Sequence, residues 1–562
     1  MAGGTYTVGI DFGTASARAV VVDVADGREL GVAVHAYANG VIDRRLPAPD
    51  DDVVLEPDWA LQDAADYVEA VRRAVPAAVA DAGVDPARVI GIGIDFTSCT
   101  MLPTTADGTP LSALDAHRRN PHAWVKLWKH HAAQPEADEI NRVAAELGEP
   151  WLDRYGGRIS AEWFFPKALQ ILREAPEIYA SAGRLIEAAD WIVWRLTGVE
   201  TRNSCTAGYK ALWSADDGFP REAFFAALDP RFARVVDDKM SRSITALGEA
   251  AGGLSAEAAG WTGLPAGIAV AVANVDAHVS APAATVTEPG TMVAIMGTST
   301  CHVILSDTAP AITGMCGVVR DGVVPGLFGF EAGQASVGDL FGWFVEHAVP
   351  PKYFDRAASL GVDAHAVLEA EAAALAPGES GILALDWWNG NRSTLVDADL
   401  SGLLVGMTMA TGSAEIYRAL IEATAFGTRV IIDALEAGGV PVESVVACGG
   451  LPERNRLLVQ IYADVTRRTW RVAASPQAPA LGSAMFAAVA AGEAARGYAD
   501  ITAAAARMAH LRDEAFEPIP ANAAVYDRLY AEYVRLHDLF GRGADPAMKT
   551  LKAIRLEALE GR

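Results

Sequence analysis

Val8-Gly9-Ile10-Asp11-Phe12-Gly13-Thr14, near the start of the chain, decides the fold, because its pattern returns as Ala294-Ile295-Met296-Gly297-Thr298-Ser299 past the middle. In each copy an apolar run is broken by Gly-Thr. A second apolar run follows, Ala19-Val20-Val21-Val22 in one and Val303-Ile304-Leu305 in the other. Both read as β-hairpins with a glycine turn. Glycine lets backbone N–H groups approach an anion closely, and neighbouring hydroxyls can donate to phosphate oxygens. Two facing turns would grip a polyphosphate from both sides, through Gly13, Thr14, Gly297, Thr298 and Ser299.

Working outward, apolar runs at residues 6–10, 17–24, 31–37 and 89–94 predict strands, with an Ala-rich helical pattern over 59–82 between the third and fourth. Helical periodicity over 116–147 and 161–196 predicts a large helical insert. Strands return at 267–274, 291–295, 301–305 and 323–329. Helices at 415–437 and 455–465 then flank a strand at 445–448, so the second half repeats the element order of the first. A chain of 562 residues is too long for one core. The turn residues Glu288-Pro289-Gly290 set the expected boundary, giving α/β domains over 1–287 and 288–562. In the tail, 521–561, Tyr526, Leu529, Tyr530, Tyr533, Leu536 and Phe540 recur at helical spacing, which predicts a helix packed on its own domain.

Composition narrows the classes. Apolar residues make up 51% of the chain, yet no uninterrupted run approaches the roughly 20 residues of a membrane span. The opening residues lack a secretion signal, so a cytoplasmic protein is expected. The cysteines, Cys99, Cys205, Cys301, Cys316 and Cys448, are scattered and never form Cys-x-x-Cys, which predicts reduced, structural thiols. A formal charge of −25 argues against nucleic acid and anionic membrane as partners. His117 with His122, and His130 with His131, lack a suitably spaced third ligand for zinc. Neither Gly-x-x-x-x-Gly-Lys-Ser/Thr nor a His-Arg-Asp loop is present, which sets aside two other kinase designs.

Candidate chemistry follows the turns. Asp11, at a strand end before Gly13-Thr14, is placed either to hold Mg²⁺ through water or to cap the turn; the second hairpin favours the first reading. Asp276, in Asn274-Val275-Asp276-Ala277-His278, ends a buried strand. It can act as a base toward a hydroxyl or as a helix cap, and the residues alone leave both open. His278 is read as structural. Cys448-Gly449-Gly450-Leu451-Pro452-Glu453-Arg454-Asn455 is a strand, a paired-glycine turn and a helix start, suited to adenine, ribose and phosphate through Gly449, Gly450 and Asn455. An acceptor would meet Asp95, Thr97 and Ser98 in the loop after the fourth strand. Lys210 and Glu331, in glycine-flanked polar breaks, either join them or are surface ion-pairing residues.

Together these stretches resemble the FGGY carbohydrate kinase family, within the superfamily of actin, hexokinase and the heat-shock chaperone ATPases, over nearly the whole chain. Narrower motifs are Gly93-Ile94-Asp95-Phe96-Thr97-Ser98, Leu127-Trp128-Lys129-His130-His131, Ser160-Ala161-Glu162-Trp163, Cys205-Thr206-Ala207-Gly208-Tyr209-Lys210, Gly297-Thr298-Ser299-Thr300-Cys301 and Phe330-Glu331-Ala332-Gly333-Gln334. They are most similar to family members acting on L-ribulose; Ala161 stands where that pattern has Ser. The resemblance implies two ribonuclease-H-like domains with a cleft between them, and ATP clasped by both hairpins. It implies Asp11 near Mg²⁺, Asp276 as catalytic base, and Lys210 and Glu331 binding the ketopentose. The reaction implied is transfer of the γ-phosphate of ATP to O5 of L-ribulose in arabinose catabolism, by a protein that a homodimer would suit. Xylulose, ribitol or glycerol as acceptor is the nearest rival; a chaperone-like ATPase is the more distant one.

Overall fold

The computed structural model describes residues 4–560. Four predicted strands form as expected: β1 (Tyr6–Phe12), β2 (Ser16–Asp23), β3 (Glu29–Ala36) and β4 (Val89–Phe96). With β5 (Ala250–Gly253), β6 (Ala269–Ala271) and β7 (Asn274–Val275) they make a seven-stranded sheet. Its order is β3-β2-β1-β4-β6-β5, with β7 also paired to β4. β1 and β4 are parallel and bring Asp11 beside Asp95; β7 is parallel to β4 and brings Asn274 beside the same Asp95. Three strand ends therefore open on one edge. The expected single strand over 267–274 is divided into β6 and β7 by Val272 and Ala273.

The predicted helix over 59–82 begins later, as α1 (Ala64–Ala82), after the N-cap Asp63 accepts from Ala65 N–H. The insert is less helical than expected. Residues 116–133 form tight turns, one of them the 3₁₀ turn Pro121–Ala123, and the two-residue strand Val125–Lys126 before α2 (Gln134–Leu147). Within 161–196, α3 (Phe164–Glu174) is followed by a short helix, the strand Arg184–Glu187 and another helix. Prolines and aromatic residues mimicked a helical period there, while hydrogen bonds to neighbouring strands took the backbone. Lys210 is the last residue of α4 (Ser204–Lys210), and Asp276 the first of α5 (Asp276–Ala283).

The second sheet repeats the plan of the first. It holds β8 (Thr291–Met296), β9 (Thr300–Ser306), β10 (Gly317–Arg320), β11 (Phe328–Gln334), β12 (Ser444–Cys448), β13 (Thr469–Ala473) and β14 (Leu511–Phe516), in the order β10-β11-β9-β8-β12-β13-β14. The strand expected at 323–329 is corrected: residues 321–327 are turn and bend, and the strand is β11. Glu331 thus lies within a strand rather than in a loop. The run Phe-Gly-Phe-Glu-Ala-Gly-Gln looked like a loop because two of its residues are glycine, but here they admit neighbours. A Cβ on Gly329 would stand 2.4 Å from the Tyr209 hydroxyl.

Helices α6 (Gly338–Ala348), α7 (Ser413–Ala437) and α8 (Arg456–Thr466) accompany this sheet, while α9 (Ala478–Ala491) returns to pack on β1, β4 and β6 of the first. α5 packs against α9 and touches β8 and β9. One apolar core accordingly runs from Ile10 and Ile94, through Val279 and Ala484, to Val293 and Val303. The tail is two helices, α10 (Pro520–Gly541) and α11 (Ala547–Glu560), rather than one; Gly561 lies outside the described residues. Tyr526, Tyr530 and Tyr533 of α10 are buried in the core of the second sheet, as expected. Among the described residues no helix is long and apolar enough to cross a membrane.

Candidate active site

The common edge of β1, β4 and β7 gathers carboxylates. Asp95 is fully buried; its Oδ2 accepts from Ser483 Oγ of α9 at 2.6 Å, and it sits beside Asp11 in the sheet register. Burial first, then the Asp11 charge, holds the Asp95 carboxyl well above the usual range. Its Oδ2 is committed to Ser483, while Oδ1 is buried without a hydrogen-bond partner among the described residues. Asp11 is also pushed up by burial, while Asp95 and Arg18, 3.6 Å away, oppose that shift. Asp276, partly exposed, is pushed up to about 7 by burial and by the nearby charge of Asp11. Its Oδ1 accepts from the Ala277 N–H at 2.7 Å, and its pKa matches that of a general base near neutral pH.

Across from this edge stand Lys210 and Glu331. They are not surface residues: Lys210 Nζ donates to both carboxylate oxygens of Glu331 at 3.0 and 2.9 Å, and both side chains are buried. α4 is held against the second sheet by Tyr209, whose hydroxyl donates to Gly329 O at 2.7 Å, and by Ser204, whose Oγ donates to Asp321 O at 3.0 Å. His278, two residues into α5, lies with Nε2 3.2 Å from Glu331 Oε2 and its ring 4.0 Å from that of Tyr209. The residue read as structural therefore touches the ion pair. Glu331 is held far below the ordinary carboxylate range, chiefly by Lys210 and then His278, against the opposing effect of burial.

Thr97 and Ser98 follow β4. Thr97 N–H donates to Phe12 O at 3.2 Å, and its hydroxyl pairs with that of Thr100 at 2.9 Å. Lys167 of α3, fully buried, donates to Cys99 O and Leu127 O, both at 2.7 Å. It ties this loop to the Trp128 segment, and sequence reasoning missed it, because a helical lysine with two carbonyl partners leaves no local signal. Burial pushes the Lys167 ammonium down to about 8.

Both hairpins close as predicted. Gly13 N–H donates to Ser16 O at 3.0 Å, and Gly297 N–H to Ser299 O at 2.9 Å. The Thr14 hydroxyl accepts from Trp128 Nε1 at 3.0 Å. The start of α6 sits on the second turn, where Val337 N–H donates to Thr298 O at 2.9 Å and Gly338 N–H to Gly297 O at 3.0 Å. Gly449 adopts φ +97°, and a Cβ there would stand 2.5 Å from Met296 O, so only glycine lets the Gly449-Gly450 turn lie against the end of β8. Asn455 caps α8, accepting from Leu458 N–H at 2.7 Å.

Twin α/β sheets of one plan, each ending in a glycine hairpin and joined by α5 and α9, define an actin-like ATPase fold whose carboxylates suit phosphoryl transfer. The chain matches the N-terminal domain of the FGGY family of carbohydrate kinases over residues 6–282 and its C-terminal domain over 292–491. It belongs to that family. It is 55% identical over 550 residues to "Ribulokinase" of Halalkalibacterium halodurans, covering 98% of this chain and 97% of the other. It is 54% identical over 553 residues to "Ribulokinase" of Mycolicibacterium smegmatis, with 98% and 97% covered. The crystal structure of xylulose kinase from Rhodospirillum rubrum superposes with a TM-score of 0.73 at 24% identity, covering 95% of this chain and 98% of that one, a likeness of fold.

Proposed function

We propose that this carbohydrate kinase transfers the γ-phosphoryl group of ATP to O5 of L-ribulose, giving L-ribulose 5-phosphate as a step of arabinose breakdown in the cytoplasm. The observation that carries the reading is Asp276, pushed up to about 7 and facing the Lys210–Glu331 pair from the edge of the first sheet. Full-length similarity to proteins named ribulokinase supports the choice of acceptor, and five free cysteines suit a reducing compartment.

In this reading the backbone amides of Gly13-Thr14 and of Gly297-Thr298-Ser299 hold the phosphates, and Gly449, Gly450 and Asn455 form the nucleoside end. Lys210, Glu331, Thr97 and Ser98 fix the ketopentose, with Asp95 beside Asp11 at the same strand end. Asp276 accepts the O5 proton as the oxygen attacks the γ-phosphorus in line; the O5–P bond forms, the bond to the β,γ-bridging oxygen breaks, and ADP leaves. The sugar is held mainly by residues 1–287 and the nucleotide by 288–562.

Among the described residues no group of three or more His, Cys, Asp or Glu is arranged to hold a metal. A divalent ion held by one carboxylate, waters and substrate phosphates needs no such group, so Asp11 fits Mg²⁺ bound through water. When bound, Mg²⁺ would neutralise phosphate charge. The test is ADP release with a panel of ketopentoses, pentitols and glycerol. The expected result is strongest turnover with L-ribulose; equal turnover with glycerol or ribitol, or ADP release independent of any acceptor, would overturn it.

A further inference from the structure

The Glu162 motif and the His130-His131 pair have no part in the reaction as proposed, yet the fold brings Glu162, itself bonded to His131, against a residue of the other half. Between the strands Leu383–Leu385 and Leu403–Val405, a loop carries Arg392 to the inward face of the second sheet. Its backbone is fixed on either side of that residue. Asn391 and Asp397 exchange backbone hydrogen bonds at 2.9 and 2.8 Å, and Gly333 N–H donates to Ser393 Oγ at 3.2 Å. The Arg392 stem lies flat on β11 where Gly333 has no side chain; a Cβ at Gly333 would stand 2.9 Å from Arg392 Cδ.

The guanidinium thereby stands in the field of Glu331 and reaches Glu162 of the first half, Nη2 to Oε2, at 3.8 Å. Glu162 is itself bonded to His131 at 2.9 Å. Among the described residues Arg392 donates no hydrogen bond, although its side chain is only 31% exposed. A guanidinium offers five N–H donors in a rigid fork. Those of Arg392 are held by no protein acceptor and stay accessible, so a ligand rich in oxygens can take them. The carboxylates of Glu162 and Glu331 beside it disfavour a polyanion there but not an uncharged polyol.

We propose that Arg392 is a sugar-binding residue supplied by the second half of the chain, its guanidinium donating to acceptor oxygens beside the Lys210–Glu331 pair, with Glu162 and Gly333 positioning it. The proposal rests on the reading of this chain as a ketopentose kinase. L-Ribulose and a non-hydrolysable ATP analogue with Mg²⁺ are titrated separately into wild type, R392Q, R392K and G333A by calorimetry, with melting temperatures alongside.

R392Q should weaken L-ribulose binding about 10-fold or more, the scale of losing one charged hydrogen bond. R392K should weaken it less, and G333A in the same direction by displacing the Arg392 stem. Nucleotide affinity should hold in all three variants and melting temperature in the two at Arg392; the G333A Cβ also stands 3.2 Å from Thr300 O, so its melting temperature should fall. Wild-type sugar affinity in R392Q, or a loss confined to the nucleotide, overturns the proposal while leaving the kinase reading intact. If R392Q does not fold, unchanged sugar affinity in both R392K and G333A overturns it. A wild-type chain that binds no ketopentose overturns the kinase reading and this inference together.

Discussion

The two hairpins share a backbone and differ in chemistry. Two residues before its turn glycine the first carries Asp11, paired across the sheet with Asp95; at the matching place the second carries Ile295, paired with Cys448. Where the first sheet continues into Thr97 and Ser98, the second continues into Gly449 and Gly450. The repeated fold therefore supplies two glycine turns, while the carboxylates at the strand ends, Asp11 and Asp95, belong to the first sheet alone; in the proposed reading both turns hold phosphate and the first side carries the proton-transfer and ion-binding groups. Lys210 and Glu331, one from each half, join them.

That asymmetry can be broken in graded steps. The largest effect is expected from Asp276→Asn. Turnover should fall by roughly 10² or more, the usual scale for a lost general base, while both ligands still bind. Near-normal kcat in that variant would move the chemistry elsewhere. Lys210→Met strands a buried carboxylate and should lower unfolding stability by about 3–5 kcal/mol, read from the denaturant midpoint. An unchanged midpoint would mean that the pair is solvated. Gly449→Ala, on the second side, places a Cβ against Met296 O at a left-handed φ and should cost about 1–3 kcal/mol of strain. It should raise KM for ATP without moving the pH profile, and a shifted profile would contradict the division of roles. An effect no larger than that of Gly449→Ala belongs to Ser483→Ala, which removes one hydrogen bond from buried Asp95 and should cost about 1–3 kcal/mol. Melting temperature checks it.

The hairpins were legible because alternating small and branched residues around Gly-Thr leave little choice of structure. The carboxylate edge was legible in part: Asp11 and Asp276 precede turns, but only strand register shows that Asp95 faces Asp11. The pairing of Lys210 with Glu331 was not legible. Their partnership spans 121 residues and depends on α4 docking against the second sheet, so each alone resembled a surface charge. Arg392 left no local signal either, since its role depends on the absent side chain at Gly333. The helical insert was over-read, because aromatic spacing in 116–133 resembles a helix while tight turns and a short strand satisfy its backbone.

The central claim is that burial among like charges lifts a first-sheet carboxylate near neutrality so that it can take the sugar's proton. Because the folded Asp276 is raised to about 7, the working, ionised form is lost as pH falls through that value. The direct measurement is kcat/KM for L-ribulose between pH 5 and 9, taken where wild type stays folded. The account predicts an acidic limb with an apparent pKa near 7 that is missing from the residual activity of D276N; a wild-type rate flat from pH 5 to 8 would contradict it.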